Sequence, residues 1–198
     1  PESTVTRSPS DVIAALRAGD HPSVLGTRES QVLDFKSDSY HLDSLAGKLE
    51  LAKDISALAN KDGGCIIRGI KASRVSQADE EIAHLLRPIP ADRANIQQHR
   101  AVMTEYVFPP PSDVSFEFIP EPSRDDGSGY LVIEVAKQAP GSIFLQTKGI
   151  RDDGKQVDAF SVPMRDGAET RYLVPGEVWR YLSEGRRSLD FPASGSQA

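Results

Sequence analysis

The stretch ELAKDISALANKDGGCIIRGI, residues 50–70, predicts a long helix that ends abruptly and is followed by a buried strand. Apolar residues recur at three- and four-residue steps from Leu45 to Ala59, which is the spacing of one buried helix face. Asp43 or Ser44 can cap the helix, and the run NKDGG ends it. The following CIIRGI is almost wholly apolar, so we expect it to form an interior strand.

Another strand is predicted before this helix, in ESQVLDFK at residues 29–36. Side chains alternate between the two faces of a strand, so Leu33 and Phe35 share a side that we expect to face the core. Asp34 and Lys36 then share the opposite, polar side. A strand, a long helix and a second strand together indicate an α/β or α+β sheet with the helix packed on one face.

The remaining segments predict further helices and strands around this unit. Helices are predicted at residues 10–19, 79–86, 93–107 and 175–185. Strands are predicted at residues 115–119, 130–136, 141–147 and 159–164, with Asp152-Asp153-Gly154 as a hairpin turn between the last two. We expect an N-terminal helical extension at 1–26, a core domain at 27–187 and a flexible tail or linker at 188–198.

The composition indicates a globular domain without a membrane segment. Of the 198 residues, 38% are hydrophobic and 26% charged, and no apolar run approaches the roughly 18–20 residues that cross a bilayer. Since the first ten residues are polar and Cys65 is the sole cysteine, we expect a cytoplasmic protein without an internal disulfide or a cysteine-rich zinc site. The net charge is −6 and no third of the chain is basic, so a nucleic-acid site would need a local basic patch.

Glu29, Asp34 and Lys36 are the residues whose types best fit a catalytic site. Hydrolysis of a phosphodiester with Mg²⁺ or Mn²⁺ requires oxygen ligands that hold the ion against the phosphate. Glu29 and Asp34 would be such ligands, and Lys36 would stabilise the phosphate or position the water. Sites of this kind usually have a third acid, for which Glu50 and Asp62 are the available substitutes.

These segments, with YLVIEVAKQ and FSVPMRDGAET later in the chain, resemble the Schlafen/AlbA-2 type domain in order and spacing over about residues 27–184. That family is described as DNA-binding or as a divergent ATPase-associated module. The positions that match its motif are Glu29, Asp34, Phe35, Lys36, Ala57, Leu58, Ala59, Asn60, Gly63, Gly64, Gly69, Ile70, Arg165 and Gly167. The resemblance implies an α+β fold in which a small mixed β-sheet is flanked by helices.

Some Schlafen members are metal-dependent endoribonucleases that act on structured RNA such as tRNA, and the resemblance implies which residues would do so here. Glu29 and Asp34 match the first two acids of the family's catalytic trio. The third acid would fall at Lys71 or Ala72, and neither is acidic. Lys71 would place a positive charge where the metal ion should be, or would contact phosphate directly.

The glycine pair and the strand arginine each have a structural and a functional interpretation. The run NKDGG lacks a P-loop Lys-Ser/Thr and the GxGxxG spacing, so we expect no ATP site there. Asn60 or Gly63 is instead expected to end the helix in a left-handed conformation. Arg68 either pairs with Glu29 or Asp34, because an unpaired buried charge is very costly, or contacts a nucleic-acid phosphate.

The aromatic and histidine side chains do not indicate a further site. Trp179 and Tyr181 are expected to pack in the core, since base stacking would need a basic surround. The four histidines have no metal-ligand spacing, and most are expected at the surface: His21, His41, His84 and His99.

Three functions remain open from the sequence. In the first, a non-catalytic regulatory or defence-type module binds RNA or DNA through a local patch of Lys36, Arg68, Lys71 and Arg165. In the second, Glu29 and Asp34 hold Mg²⁺ or Mn²⁺ in an endoribonuclease. In the third, the acidic surface assembles with another protein, a fused domain or a second copy, and the nucleic-acid surface is vestigial. No membrane contact is expected.

Overall fold

The computed structural model describes residues 5–74, 81–139 and 141–190 of the chain. The helices in this part are α1 (Pro9–Arg17), α2 (Leu45–Ala59), α3 (Ile96–Tyr106) and α4 (Pro175–Asp190). The strands are β1 (Leu33–Lys36), β2 (Gly64–Arg68), β3 (Ile70–Arg74), β4 (Glu81–Leu86), β5 (Val107–Phe108), β6 (Val114–Pro120), β7 (Gly129–Val135), β8 (Leu145–Ile150), β9 (Gln156–Ser161), β10 (Pro163–Asp166) and β11 (Glu169–Tyr172). The fold is α+β, as the sequence predicts.

A four-stranded mixed sheet in the order β1-β2-β7-β6 forms the centre of the molecule. Strands β1 and β2 are parallel, with Leu33 beside Cys65 and Lys36 beside Arg68, while β7 pairs antiparallel with both β2 and β6. A parallel pair needs a long crossover connection, and α2 supplies it. The predicted strand–helix–strand unit is therefore confirmed.

Helices cover both faces of this sheet. On one face, α2 and α3 bury Leu51, Ile55 and Val102 against Leu131 and Ile133 of β7. On the other face, α1 packs in one apolar cluster with the inward side chains of β1, namely Leu33 and Phe35. Both β1 residues therefore face the core as predicted. The boundary expected after residue 26 stays a prediction.

Three small sheets surround the central one: β3-β4, β5-β8-β9 and β10-β11. The prediction of one strand at residues 65–70 is wrong, because Gly69 has a φ of +101° and separates β2 from β3. The predicted helix at residues 79–86 is also wrong, since Glu81–Leu86 is strand β4, which pairs with β3. Periodicity cannot distinguish a helix from a strand in so short an apolar run.

The two ends of α2 follow local sequence signals. Ser44 caps the first turn, with its Oγ accepting from the N–H of Gly47 at 3.1 Å. Gly63, at a φ of +73°, ends the helix, and its N–H donates to Leu58 O at 3.0 Å. Asn60 stays right-handed, and its amide nitrogen donates to Phe144 O at 2.7 Å and Pro163 O at 2.8 Å. Asn60 therefore joins α2 to two later segments of the chain.

Several surface and core assignments differ from the sequence-based expectation. Trp179 is 74% exposed, whereas Tyr181 packs against a small apolar cluster that contains Met164. His21 and His99 are buried, because His21 contacts Glu121 and Leu16 O, and His99 Nδ1 lies 2.7 Å from Asn95 O.

The C-terminal helix is longer than predicted. Helix α4 includes residues 188–190 of the expected tail, and residues 191–198 lie outside the described part of the chain. Among the described residues, no helix is both long and apolar enough to cross a membrane.

Candidate functional site

The two predicted acids meet because the chain turns tightly between them. Ser30 N–H donates to Leu33 O at 2.9 Å, which closes a turn immediately before β1. The Glu29 carboxylate lies back over this turn and accepts from the Phe35 N–H at 2.8 Å. Asp34 lies next to that contact, and both carboxylates are buried. The five-residue spacing thus brings two acids together through a turn rather than through strand alternation.

Asp34 is paired with two cations. Its two carboxylate oxygens lie 3.1 and 3.0 Å from Lys36 Nζ, and Arg165 Nη1 donates to Oδ1 at 3.3 Å. The second nitrogen of the Arg165 fork, Nη2, donates to Ser30 O at 3.0 Å. The side chains of Asp34 and Arg165 are only 3% and 5% exposed, so this pair is part of the interior. Arg165 joins the β10-β11 hairpin to the turn before β1.

A third acid, Asp54 of α2, also borders this group and was missed at the sequence level. Its Oδ2 accepts from Tyr40 Oη–H at 2.8 Å, and Lys53 Nζ lies 3.3 Å from Oδ1. Asp54 is buried, three residues after Leu51 and four before Leu58, on the inward face of the helix. A carboxylate on an apolar helix face is the sequence signal that identifies it.

The acids proposed from sequence as substitutes for the third position lie elsewhere. Asp62 Oδ2 accepts from Gln31 Nε2 at 2.6 Å, and its Oδ1 accepts from Lys137 Nζ at 2.7 Å. Glu50 lies 3.8 Å from Arg68 Nη1 and does not line the cleft. Lys71, at the position of the family's third acid, is exposed on β3 and does not line the cleft either.

These groups surround an open cavity of about 330 Å³, called here the charged cleft. Its lining residues are Glu29, Lys36, Lys53, Asp54, Arg74, Glu81, Arg165, Ala168, Glu169 and Thr170. Four of them are cationic and four are acidic, and Asp34 lies behind them. Arg74 lies 3.6 Å from Glu81 and 3.1 Å from Glu169 at the outer edge. The cleft therefore combines both signs of charge.

Burial changes the proton affinities of the acids in this group. Burial raises the pKa of Glu29 to about 7, with a further increase from Asp34, while the Phe35 N–H and Lys36 oppose the change. Burial also raises the pKa of Asp34, although Lys36 and Arg165 favour its ionised form. The Glu29 carboxyl thus keeps its proton to a much higher pH than an exposed glutamate does.

Burial acts in the opposite direction on the neighbouring lysine. It tends to lower the pKa of Lys36, but the carboxylates of Asp34 and Asp54 outweigh it, so the pKa is raised. Lys36 therefore remains a cation at the cleft wall.

The arrangement does not fit the Mg²⁺ or Mn²⁺ site that the family resemblance implies. Both oxygens of Asp34 are engaged by cations, and Oε1 of Glu29 is engaged by a backbone N–H. Within residues 5–74, 81–139 and 141–190, no group of three or more His, Cys, Asp or Glu side chains is placed to hold a metal ion.

The other predicted nucleic-acid residues are separated by the fold. Lys36 and Arg165 share the charged cleft. Arg68 is buried and does not line the cleft, and its guanidinium carbon lies 3.7 Å from the centre of the Tyr40 ring. The predicted pairing with Glu29 or Asp34 is wrong, because the carboxylate that Arg68 faces is Glu50 at 3.8 Å. A phosphate could reach Arg68 only if surrounding side chains moved.

In a comparison with protein-family models, the Schlafen, AlbA_2 model matches residues 29–171 of this chain. This range contains every residue that lines the charged cleft. The chain belongs to the Schlafen AlbA_2 family. The resemblance proposed from the sequence motifs is therefore confirmed.

Similarities to solved structures are weaker, with low sequence identity. The DIP2311 protein from Corynebacterium diphtheriae is 21% identical with a TM-score of 0.40, and the match covers 76% of this chain and 23% of that one. The N-terminal domain of a DNA helicase RecG-related protein from Nitrosomonas europaea is 17% identical with a TM-score of 0.36, and the match covers 66% of this chain and 74% of that one. This chain thus spans about a quarter of the length of DIP2311. Comparison with curated proteins finds no match.

Proposed function

We propose that this domain binds nucleic acid at the charged cleft without cleaving it. One observation supports this most directly: Lys36 and Lys53 are each about one-third exposed (33% and 31%) and are held at the cleft by buried carboxylates. An ammonium group that is already ordered loses little conformational entropy when it meets a phosphate. Because the whole chain has a net charge of −6, such a local pair would have to supply the contact.

The pairing of Asp34 supports a binding role over a hydrolytic one. A divalent ion at Asp34 would have to displace Lys36 and Arg165, and breaking a buried ion pair costs several kcal/mol. In the observed arrangement the acids instead orient the lysines. The family relationship adds to this proposal, since the matched region includes the whole cleft.

Fluorescence anisotropy with labelled tRNA, single-stranded RNA and duplex DNA at several salt concentrations tests the proposal. We expect micromolar binding of at least one ligand. Lys53→Gln should weaken it and reduce the slope of log K against log salt by about 1, the effect of losing one phosphate contact. Lys137→Gln is the matched control, because Lys137 pairs with Asp62 away from the cleft and its replacement should leave the slope unchanged.

Other outcomes would favour the remaining functions. Absence of binding at micromolar protein, combined with self-association in sedimentation experiments, would favour an assembly module. RNA cleavage that requires Mn²⁺, is stopped by EDTA and is lost in the Glu29→Gln plus Asp34→Asn variant would show that the domain is an endoribonuclease.

A further inference from the structure

A second, mainly apolar groove adjoins the charged cleft. It has a volume of about 580 Å³ and lies between α2 and the β8, β9 and β11 strands. Its walls include Leu49, Ile150 and Tyr172, and two lysines, Lys53 and Lys148, stand at its edge. Lys53 lines both cavities, so the groove and the charged cleft adjoin at this side chain.

We infer that this groove holds an unstacked nucleobase of a single-stranded nucleic acid whose backbone passes Lys53. This inference rests on the function proposed above and specifies its ligand. The volume lies within the range of pockets that enclose a ligand of nucleotide size. The strand would place a base against the apolar walls while adjacent phosphates meet lysines on two sides, the combination found in sequence-tolerant single-strand sites.

Tyr172 is the aromatic surface for such a base. Its side chain is 49% exposed at the groove, where a stacked base would cover it. Gln146 and Ser161 also line the groove and supply polar groups: the Ser161 hydroxyl lies 3.4 Å from Gln146 Oε1, and Gln146 Nε2 lies 3.4 Å from Leu49 O. These groups can pair with a base edge only when that edge is free of its complementary strand.

The charge at the groove suits a phosphate backbone. Lys148 Nζ lies 2.7 Å from Asp158, whose side chain is 85% exposed, so a phosphate can replace that weak surface partner. Glu50 is the one acid on the lining, and it faces Arg68 at 3.8 Å. The two lysines thus leave the groove edge cationic.

Two other exposed aromatic residues provide controls. Phe160 of β9 and Trp179 of α4 are 78% and 74% exposed, but neither lines the groove. If exposure alone made a ring a stacking surface, these two rings would bind a base better than Tyr172, because both are more exposed. If Tyr172 alone has the effect, position in the groove and not ring exposure is the cause.

The experiment measures binding of fluorescein-labelled octauridylate and of a labelled RNA duplex of eight base pairs by anisotropy. The natural chain should bind the single strand more tightly than the duplex. Tyr172→Ala should weaken single-strand binding about tenfold, the effect of one lost base stack, and change duplex binding less than twofold. Tyr172→Phe should retain single-strand affinity because the ring remains, and circular dichroism verifies that each variant folds.

The outcomes distinguish this inference from the function on which it rests. Equal losses for single strand and duplex in Tyr172→Ala, or an equal loss in Phe160→Ala or Trp179→Ala, would overturn the nucleobase site while leaving nucleic-acid binding at the cleft intact. The nucleobase site would also be overturned if Lys53→Gln abolished binding while Tyr172→Ala left it unchanged. If the unaltered chain bound neither RNA, the nucleobase site would be overturned; if it also bound neither tRNA nor duplex DNA, the proposed function itself would be wrong.

Discussion

Arg68 and Arg165 are the two arginines buried among the residues that the structure describes, and their charges are compensated in different ways. Arg165 faces the Asp34 carboxylate at 3.3 Å and the Ser30 carbonyl at 3.0 Å. Arg68 instead lies 3.7 Å from the centre of the Tyr40 ring, and its nearest carboxylate is a half-exposed Glu50 at 3.8 Å. Within the described residues, the Nε–H and Nη1–H groups of Arg68 donate no hydrogen bond, whereas in Arg165 only the Nε–H lacks an acceptor.

The contrast shows which buried charge is coupled to the cleft. Removing a partner of Arg165 leaves a charge uncompensated in the interior, whereas the ring beneath Arg68 provides a weaker, less directional stabilisation. Arg165 also joins segments 131 residues apart in the chain, whereas Arg68 of β2 contacts Tyr40 and Glu50, which are closer to it in sequence. The four predictions below test this difference, from the largest expected effect to the smallest.

Asp34→Ala should lower the free energy of unfolding by about 3–5 kcal/mol, because it leaves Lys36 and the buried Arg165 without their shared carboxylate. Urea denaturation followed by circular dichroism measures the change. The double variant Asp34→Leu plus Arg165→Met should lose less than Asp34→Ala alone, since no unpaired charge remains. A double variant that is less stable than the single one would contradict the charge-pair explanation.

Glu29→Gln should flatten the pH dependence of stability. The pKa of Glu29 is raised from 4.5 to about 7 on folding, so the native state binds the extra proton between these values. Stability from this group is fully present below pH 4.5 and is lost as the pH rises through about 7, by up to about 3 kcal/mol. Denaturation curves from pH 4 to 8 should show this loss in the natural chain and not in the variant; parallel curves would refute it.

Arg68→Lys should cost about 1–2 kcal/mol, because a lysine ammonium cannot stack as a plane on the Tyr40 ring. Chemical denaturation gives the value. Tyr40→Leu should remove the benefit of arginine over lysine, so the two substitutions should be non-additive. Full additivity would mean that the ring does not stabilise Arg68.

Asp158→Ala should change stability by less than about 1 kcal/mol, since its partner Lys148 meets it at the surface. The same denaturation assay measures this change in the free energy of unfolding, which can then be compared with the changes at the buried ion pairs. A loss comparable to that of Asp34→Ala would remove the distinction between surface and interior charge.

The sequence predicts the central unit well because its signals are local. The apolar period, the Ser44 cap and Gly63 each act within a few residues, so α2 and its ends follow from short-range patterns. Leu33 and Phe35 likewise face the core by simple alternation. Where a run was short, as at residues 81–86, pairing with β3 decided the structure and the pattern did not.

The candidate site is only half predictable for a related reason. Glu29, Asp34 and Lys36 belong to one segment, and the family motif identifies Arg165 as a further candidate. The contact of Asp34 with Arg165, the insertion of Asp54 from α2 and the stacking of Arg68 on Tyr40 are tertiary contacts between distant segments. No pattern within one segment specifies them.

The Asp34–Arg165 contact also has a consequence for synthesis on the ribosome. Its two residues are 131 positions apart, so the carboxylate emerges well before its guanidinium partner. At roughly 5–20 residues per second, the interval is on the order of ten seconds. During that time β1 has only Lys36 to compensate Asp34, and the native cleft can form only after the β10-β11 hairpin has been translated. Nascent chains arrested before Arg165 should therefore resist protease less than chains arrested beyond it.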